Sequence, residues 1–371
     1  MSRARDIADL SSVSARLDTV GGSEGALSNR NVVINGAMQV AQRGTSSTGL
    51  GGGSGYFTVD RFRIAGNAST GRLTMSQSAV TDLAGFANCV KFACTTADTS
   101  LGSGDFTSLN FKTEGQDLQR FKKGTSSAEK MTLSFYVKGN AAATYVVELY
   151  DADNARQISQ AFSVTDSWNR VTLVFDGDTT GAFDDDANQS LNINLYLAAG
   201  TDFTSGTLST SWGSVTNANR AVGTTNFYDS TSRTLEFTGL QLEVGDTATD
   251  FEHRTYGDEL LRCQRYFQTL GGATTNDVIA AGFTSTANFF GYGHLNNTMR
   301  AAPTASVSGT NSDIGYTHVA VAAAANSAPG FTTNLNSFFI NIPSGTTTTS
   351  NAGSYARSTS TSTKLHFDAE L

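Results

Sequence analysis

The chain has 371 residues, 37 of them glycine and only 3 proline, and its 25 Lys and Arg against 33 Asp and Glu give a formal net charge of -8. That length suits two domains with cores of their own or one large β structure. The acidity, with no basic block anywhere, argues against nucleic-acid binding, which needs clustered Lys and Arg at phosphates.

Residues 1–30 differ from the rest. Ile7, Leu10, Val13, Leu17 and Val20 recur every three or four positions, with Ser, Ala, Asp and Arg between them, up to Gly21-Gly22. The spacing predicts a short amphipathic helix. Such a helix is marginal alone in water, so its apolar stripe points to docking or to a parallel bundle of copies. A frayed tail is the bland alternative. No basic-then-apolar signal segment follows Met1 and no stretch reaches membrane-spanning length, so membrane insertion is not expected.

From about residue 31 the apolar period becomes two. Met131, Leu133, Phe135 and Val137 alternate with Thr132, Ser134, Tyr136 and Lys138. Tyr145, Val147 and Leu149 follow, then Val171, Leu173 and Phe175, then Leu191, Ile193, Leu195 and Leu197. Each reads as a half-buried strand of an antiparallel sandwich, one face in a core and one face wet. Leu235 and Phe237 are out of phase with Leu240, Leu242 and Val244, and the slip falls on Thr238-Gly239, where a glycine bulge would reset the register. No helices alternate with these strands, which excludes a parallel α/β fold.

Residues 256–268 are the second stretch compatible with a helix or a turn-rich linker. Beyond them the composition is nearly free of charge, and Phe338, Ile340 and Ile342 alternate, as do Val319 and Val321, and Leu365 and Phe367. The expected fold class is therefore all-β: a short N-terminal helix over 1–30, a jelly-roll-like β-sandwich over 31–255, a linker over 256–268 and a smaller β-sandwich over 269–371. Charged residues make up only 16% of the chain, sparse for an exposed monomer surface, so part of that surface is expected to be Ser/Thr/Asn-rich or buried between subunits.

Chemistry is sparse. His253, His294, His318 and His366 lie far apart without a Cys or carboxylate at ligand spacing, so no zinc site is expected. Cys89, Cys94 and Cys263 read as free buried thiols, in keeping with assembly in a reducing cytoplasm. The run Gly51-Gly-Gly-Ser-Gly55 reads as a flexible loop rather than a nucleophile elbow. Asp151, Asp153, Asp176, Asp178 and Asp184–Asp186 sit where turns are expected, and acidic turn residues normally serve backbone geometry. A glycosidase pair is the weaker alternative, and a structural calcium ion is left open because Asp151-Ala-Asp-Asn154 begins like a calcium loop but lacks its later ligands. Sugars stack on exposed Trp or Tyr, which makes Trp212, in a loop-like setting, the glycan-binding candidate and Tyr228 a second, although packing against the sandwich is the favoured reading even for Trp212. Trp168, just before a strand, reads as a core edge.

Several segments carry a resemblance. Asn31-Val-Val-Ile-Asn-Gly-Ala-Met-Gln-Val-Ala-Gln-Arg-Gly44 and Tyr56-Phe-Thr-Val-Asp-Arg-Phe62 look like the opening of a jelly-roll domain common in bacteriophage tail-fibre and appendage proteins, particularly of marine phages. Gly239-Leu-Gln-Leu-Glu-Val-Gly245 through Arg254 resembles its close. Phe135-Tyr-Val-Lys-Gly139 and 167–175 resemble inner strands of carbohydrate-binding-module-like jelly rolls, and Met299–Thr304 with Phe367–Leu371 a distal β domain. The resemblance implies a non-enzymatic virion structural protein, a homotrimer attached to the phage tail or capsid through residues 1–30 and presenting β domains to a host-cell surface glycan. A lectin-like module and a capsid decoration protein are the alternatives. The family shares no catalytic residues, so none is carried over.

Overall fold

The computed structural model describes residues 29–68, 70–318, 321–345 and 352–371, and the helix expected through Ile7, Leu10, Val13, Leu17 and Val20 lies outside them, as does Val319. The chain divides between Thr255 and Tyr256 into two compact units. Both are antiparallel β structures, and the all-β expectation holds.

In the first unit the strands begin with β1 (Ser46–Leu50), β2 (Gly55–Tyr56), β3 (Phe62–Gly66), β4 (Arg72–Ala79), β5 (Asn88–Thr96) and β6 (Phe106–Glu114). They continue with β7 (Met131–Gly139), β8 (Ala143–Asp151), β9 (Arg156–Val164), β10 (Asn169–Phe175) and β11 (Gln189–Ala199). A one-turn helix α1 (Thr201–Thr204), the two-residue β12 (Gly213–Ser214) and the long β13 (Thr234–Val244) complete the set. One sheet has the order β1-β4-β5-β13-β7-β10 and the other β12-β9-β8-β11-β6-β3-β2. Their facing sides make the core: Leu133, Phe135 and Val137 of β7 and Phe237 of β13 meet residues such as Val147, Phe162 and Leu195, all buried. Phe135 packs edge-on to Phe162 at 5.1 Å, an arrangement aromatic rings prefer over a face-to-face sandwich.

The phase slip in the last strand is a bulge. Register between β13 and β7 shifts between Thr238 and Gln241, and Gly239 sits there at φ +65°. A side chain would also collide with the Phe86 and Tyr136 rings, at 2.8 and 3.0 Å from a Cβ. Glycine is therefore required both by backbone and by space.

The segments that open and close this unit hold each other. Val32 N–H donates to Leu242 O, Asn31 Nδ2 to Leu240 O, and Leu242 N–H to Asn31 Oδ1. The Glu252 carboxylate accepts the Asn31 N–H at 2.8 Å, while Glu252 N–H donates to Gln241 Oε1. Arg254 donates to the carbonyls of Asn31 and Val33. The residues that carry the resemblance are thus framework: they tie chain ends more than 200 positions apart.

One expectation is corrected. β8 and β11 do not have a wet face; Val146, Glu148, Asn192, Asn194 and Tyr196 are buried as fully as their core-facing neighbours. The reason is the irregular segment 201–229, which lies across them. Ser159 N–H donates to Ser209 O, its Oγ to Arg220 O, and Thr225 N–H to Thr144 O.

The second unit starts with helix α2 (Tyr256–Gln264), which ends before residue 268. The remainder of the expected linker is not a linker, since β14 (Phe267–Leu270) is already a sheet strand. Then come β15 (Asp277–Thr284), β16 (Asn288–His294), β17 (Thr304–Val307), β18 (Ile314–His318), β19 (Val321–Ala324), β20 (Gly330–Thr333), β21 (Ser337–Pro343), β22 (Gly353–Ser358) and β23 (Leu365–Asp368). A three-stranded sheet, β14-β23-β17, covers one face of a seven-stranded sheet, β19-β18-β22-β15-β16-β21-β20. Phe289, Phe338, Ile340, Ile342, Leu365 and Phe367 are buried between them, with Phe338 and Phe367 rings 4.7 Å apart.

Candidate functional site

Side chains alternate along a strand, so the residues between the core positions of β11 and its neighbours share the outer face of the seven-stranded sheet of the first unit. In-register pairing sets them in rows. One row runs Arg63 (β3), Asn110 (β6), Asn194 (β11), Glu148 (β8) and Ser159 (β9). The next runs Lys112, Asn192, Tyr150, Gln157 and Gly213, from β6 to the edge strand β12. Six strands thus present a nearly continuous polar strip, which sheet pairing alone does not require.

Within the strip the bonds form a ladder. Asn110 Nδ2 donates to Asn194 Oδ1 at 2.6 Å, and Asn194 Nδ2 to Glu148 Oε2 at 2.8 Å. Arg220, reaching in from the covering segment, grips Glu148 with Nε and Nη2, each at 2.8 Å, and its guanidinium lies 5.3 Å from the Tyr150 ring centre. Burial alone would lower the Arg220 pKa, but these bonds to Glu148 raise it, so the guanidinium stays charged. Tyr196, which donates to the same carboxylate at 3.2 Å, has its hydroxyl pKa pushed up by burial and then by the Glu148 charge. A carboxylate saturated in this way is unsuited to proton transfer, and it is the sole carboxylate of the two rows.

The strip also holds unmet hydrogen-bonding capacity. Asn110 Oδ1, Asn192 Oδ1 and Gln157 Oε1 are buried without a partner, whereas most buried polar atoms in native structures have one. Arg63, Lys112 and Tyr150 beside them are half-buried. Amide acceptors, a guanidinium and an aromatic ring are groups that engage vicinal hydroxyls and the apolar face of a sugar ring.

The aromatic residues singled out from sequence fare differently. Tyr228 is fully buried and its hydroxyl shares a 2.9 Å hydrogen bond with Thr107. A Cβ on Gly71 would fall 2.5 Å from its ring, so the ring rests directly on backbone and offers no face for stacking. Burial pushes the Tyr228 pKa up to about 12. Its candidacy as a glycan contact is corrected. Trp212 is half-buried at the β12 edge, next to Gly213 at the end of the second row. Its indole N–H donates to Asp176 O at 2.7 Å. Trp168 is also half-buried, donating to Asp82 Oδ1 at 2.8 Å.

Beneath Trp212 lies a buried ion cluster. Lys123 Nζ sits 5.4 Å from the Trp212 ring centre and 5.2 Å from that of Phe183. It reaches Asp151 Oδ2 at 2.5 Å, Asp178 Oδ2 at 3.1 Å, Thr180 O at 2.9 Å and Gly181 O at 2.7 Å. Arg156 Nε reaches Asp178 at 2.6 Å. Burial would raise the Asp178 pKa, but Arg156, the Thr180 N–H and Lys123 together hold it below its ordinary value. The loop that begins like a calcium site thus closes on an ammonium. Among the described residues no three His, Cys, Asp or Glu side chains converge as metal ligands. The three cysteines are buried thiols in no disulfide, with the Cys89 pKa pushed up to about 12 by burial and then by Glu236.

No family model and no curated protein matches the chain. Among solved structures it is similar to the enzymatically active domain of bacteriophage CBA120 tailspike protein 4, with 11% identity and TM-score 0.30 over 58% of this chain and 21% of that one. It is also similar to TmCBM61, solved with β-1,4-galactotriose, at 8% identity and TM-score 0.30 over 58% of this chain and 99% of that one. A family 11 carbohydrate-binding module from Clostridium thermocellum gives 10% identity and TM-score 0.27 over 56% and 98%. Among the described residues no helix is long and apolar enough to cross a membrane.

Proposed function

We propose that this protein binds carbohydrate through the polar outer face of the seven-stranded sheet in its first unit, and that it does so as a non-enzymatic attachment protein of a phage particle. The observation that carries the binding reading is the two in-register rows with the unpartnered oxygens of Asn110, Asn192 and Gln157 beside Arg63 and Tyr150. Of these rows Arg63, Lys112 and Tyr150 are the half-buried groups that a ligand reaches first, and the unpartnered oxygens beside them are buried, Gln157 directly under Ser209 and Thr216, so a sugar that uses them must shift the covering segment. The virion reading, a tail fibre or related appendage anchored through residues 1–30 and assembled as a homotrimer, draws support from the opening and closing segments that resemble the appendage family.

The test is calorimetric titration with neutral oligosaccharides, beginning with β-1,4-galactotriose and a β-1,3-1,4-mixed-linked tetrasaccharide. Asn192→Ala and Tyr150→Ala are expected to weaken binding at least about tenfold each, while thermal unfolding stays near that of the parent. Binding lost with Trp212→Ala and untouched by Asn192→Ala would move the site to the β12 edge. No heat with any sugar on a broad array would remove the carbohydrate reading.

A further inference from the structure

The second unit has an outer sheet face of a different kind. One row of Cα partners crosses six strands: Thr317, Tyr355, Ala281, Tyr292, Phe339 and Thr332. The adjoining row is Gly353, Phe283, Phe290, Asn341 and Gly330. None of these residues is charged. Tyr292 is 68% exposed, Phe283 46% and Tyr355 39%, and the rings form a pavement: Tyr292 and Phe339 are 5.0 Å apart, Phe283 and Phe290 5.8 Å, Phe290 and Phe339 6.2 Å.

We infer that this face is where a second copy of the same chain docks. Three observations select that occupant. First, six strands at ~4.8 Å by the about four residues that two rows span at ~3.3 Å give roughly 380 Å², an apolar patch of the size that on a monomer often marks an interaction site. Second, the chain carries net charge -8, so copies repel across most surfaces, whereas these rows add no charge to either side. Third, the rings lean on one another and three of the five are Phe, which leaves few hydroxyls for a sugar. Ala281, Gly353 and Gly330 among the rings leave room for a partner's aromatic side chain. Two copies meet face to face, and three close around a shared axis with these faces inward.

The test is light scattering on the full chain and on Phe283→Ser/Tyr292→Asp, with Phe283→Ser/Tyr292→Ser as a second pair that adds no charge. The parent is expected at two or three times 39.0 kDa, and both variants at the single-chain mass, with circular dichroism unchanged and cooperative unfolding retained. A parent that stays at the single-chain mass up to about 100 μM overturns the proposal, as does a folded variant that keeps the parent's mass. Parent monomer that binds insoluble cellulose or chitin through these rings, with binding lost in both variants, also overturns it and gives the face to a glycan. None of these outcomes depends on oligosaccharide binding by the first unit.

Discussion

The two seven-stranded sheets invite comparison, because each buries one face in a sandwich and uses the other in an opposite way. In the first unit the outer face is a strip of amides and ions, with Glu148 fully inaccessible and locked by Arg220 from the covering segment. In the second, two central rows are an open pavement of Phe and Tyr without charge. Antiparallel pairing fixes neither outcome; the alternate residues decide it. Polar alternates need a cover or a ligand that bonds each atom, as segment 201–229 does for Glu148 and Ser159, whereas apolar alternates need only area.

That contrast can be broken most severely at Arg220. Arg220→Ala leaves Glu148 buried and uncompensated, and should cost the first unit about 3–5 kcal/mol in urea unfolding, with little change in the transition of the second. An equal loss in both units would mean that they do not unfold separately. Acid gives a middle-sized effect. Asp178 has its pKa depressed in the folded state, so its contribution is present above the unfolded value and is lost as pH falls through the lower folded one. Unfolding midpoints of the first unit should therefore drop as pH is lowered below about 4, and Asp178→Asn should flatten that profile. The smallest effect is expected at the pavement: Tyr292→Ser should move the stability of an isolated chain by no more than about 0.5 kcal/mol, since the ring is mostly in solvent. A larger loss would place Tyr292 among the packed residues.

Much of this was legible in the chain and some was not, for physical reasons. Alternation in 131–137 and 191–197 gave strands and a core, and the phase change at Thr238-Gly239 gave the bulge, because both depend on local geometry. The polar alternates Asn192 and Asn194 were visible too, but they read as a solvent face because nothing periodic in 201–229 announces a cover. Arg63, Asn110, Glu148 and Arg220 come together only through pairing across distant strands. Tyr228 misled for a similar reason: its cover is Gly71, whose missing side chain makes room for the ring. The Phe and Tyr alternates of β15, β16, β21 and β22 could be counted, but which side the three-stranded sheet covers is a tertiary fact.

Lys123 has a consequence for how the first unit meets its surroundings. Its ammonium stands where two aspartates and two backbone carbonyls converge, beneath Trp212. A loop gripping a dissolved ion tightens and slackens with the supply of that ion. Here the cation arrives on a covalent tether, at an effective concentration no medium can dilute. The rim of the sheet should therefore keep one shape in dilute fresh water, in brine or in chelator.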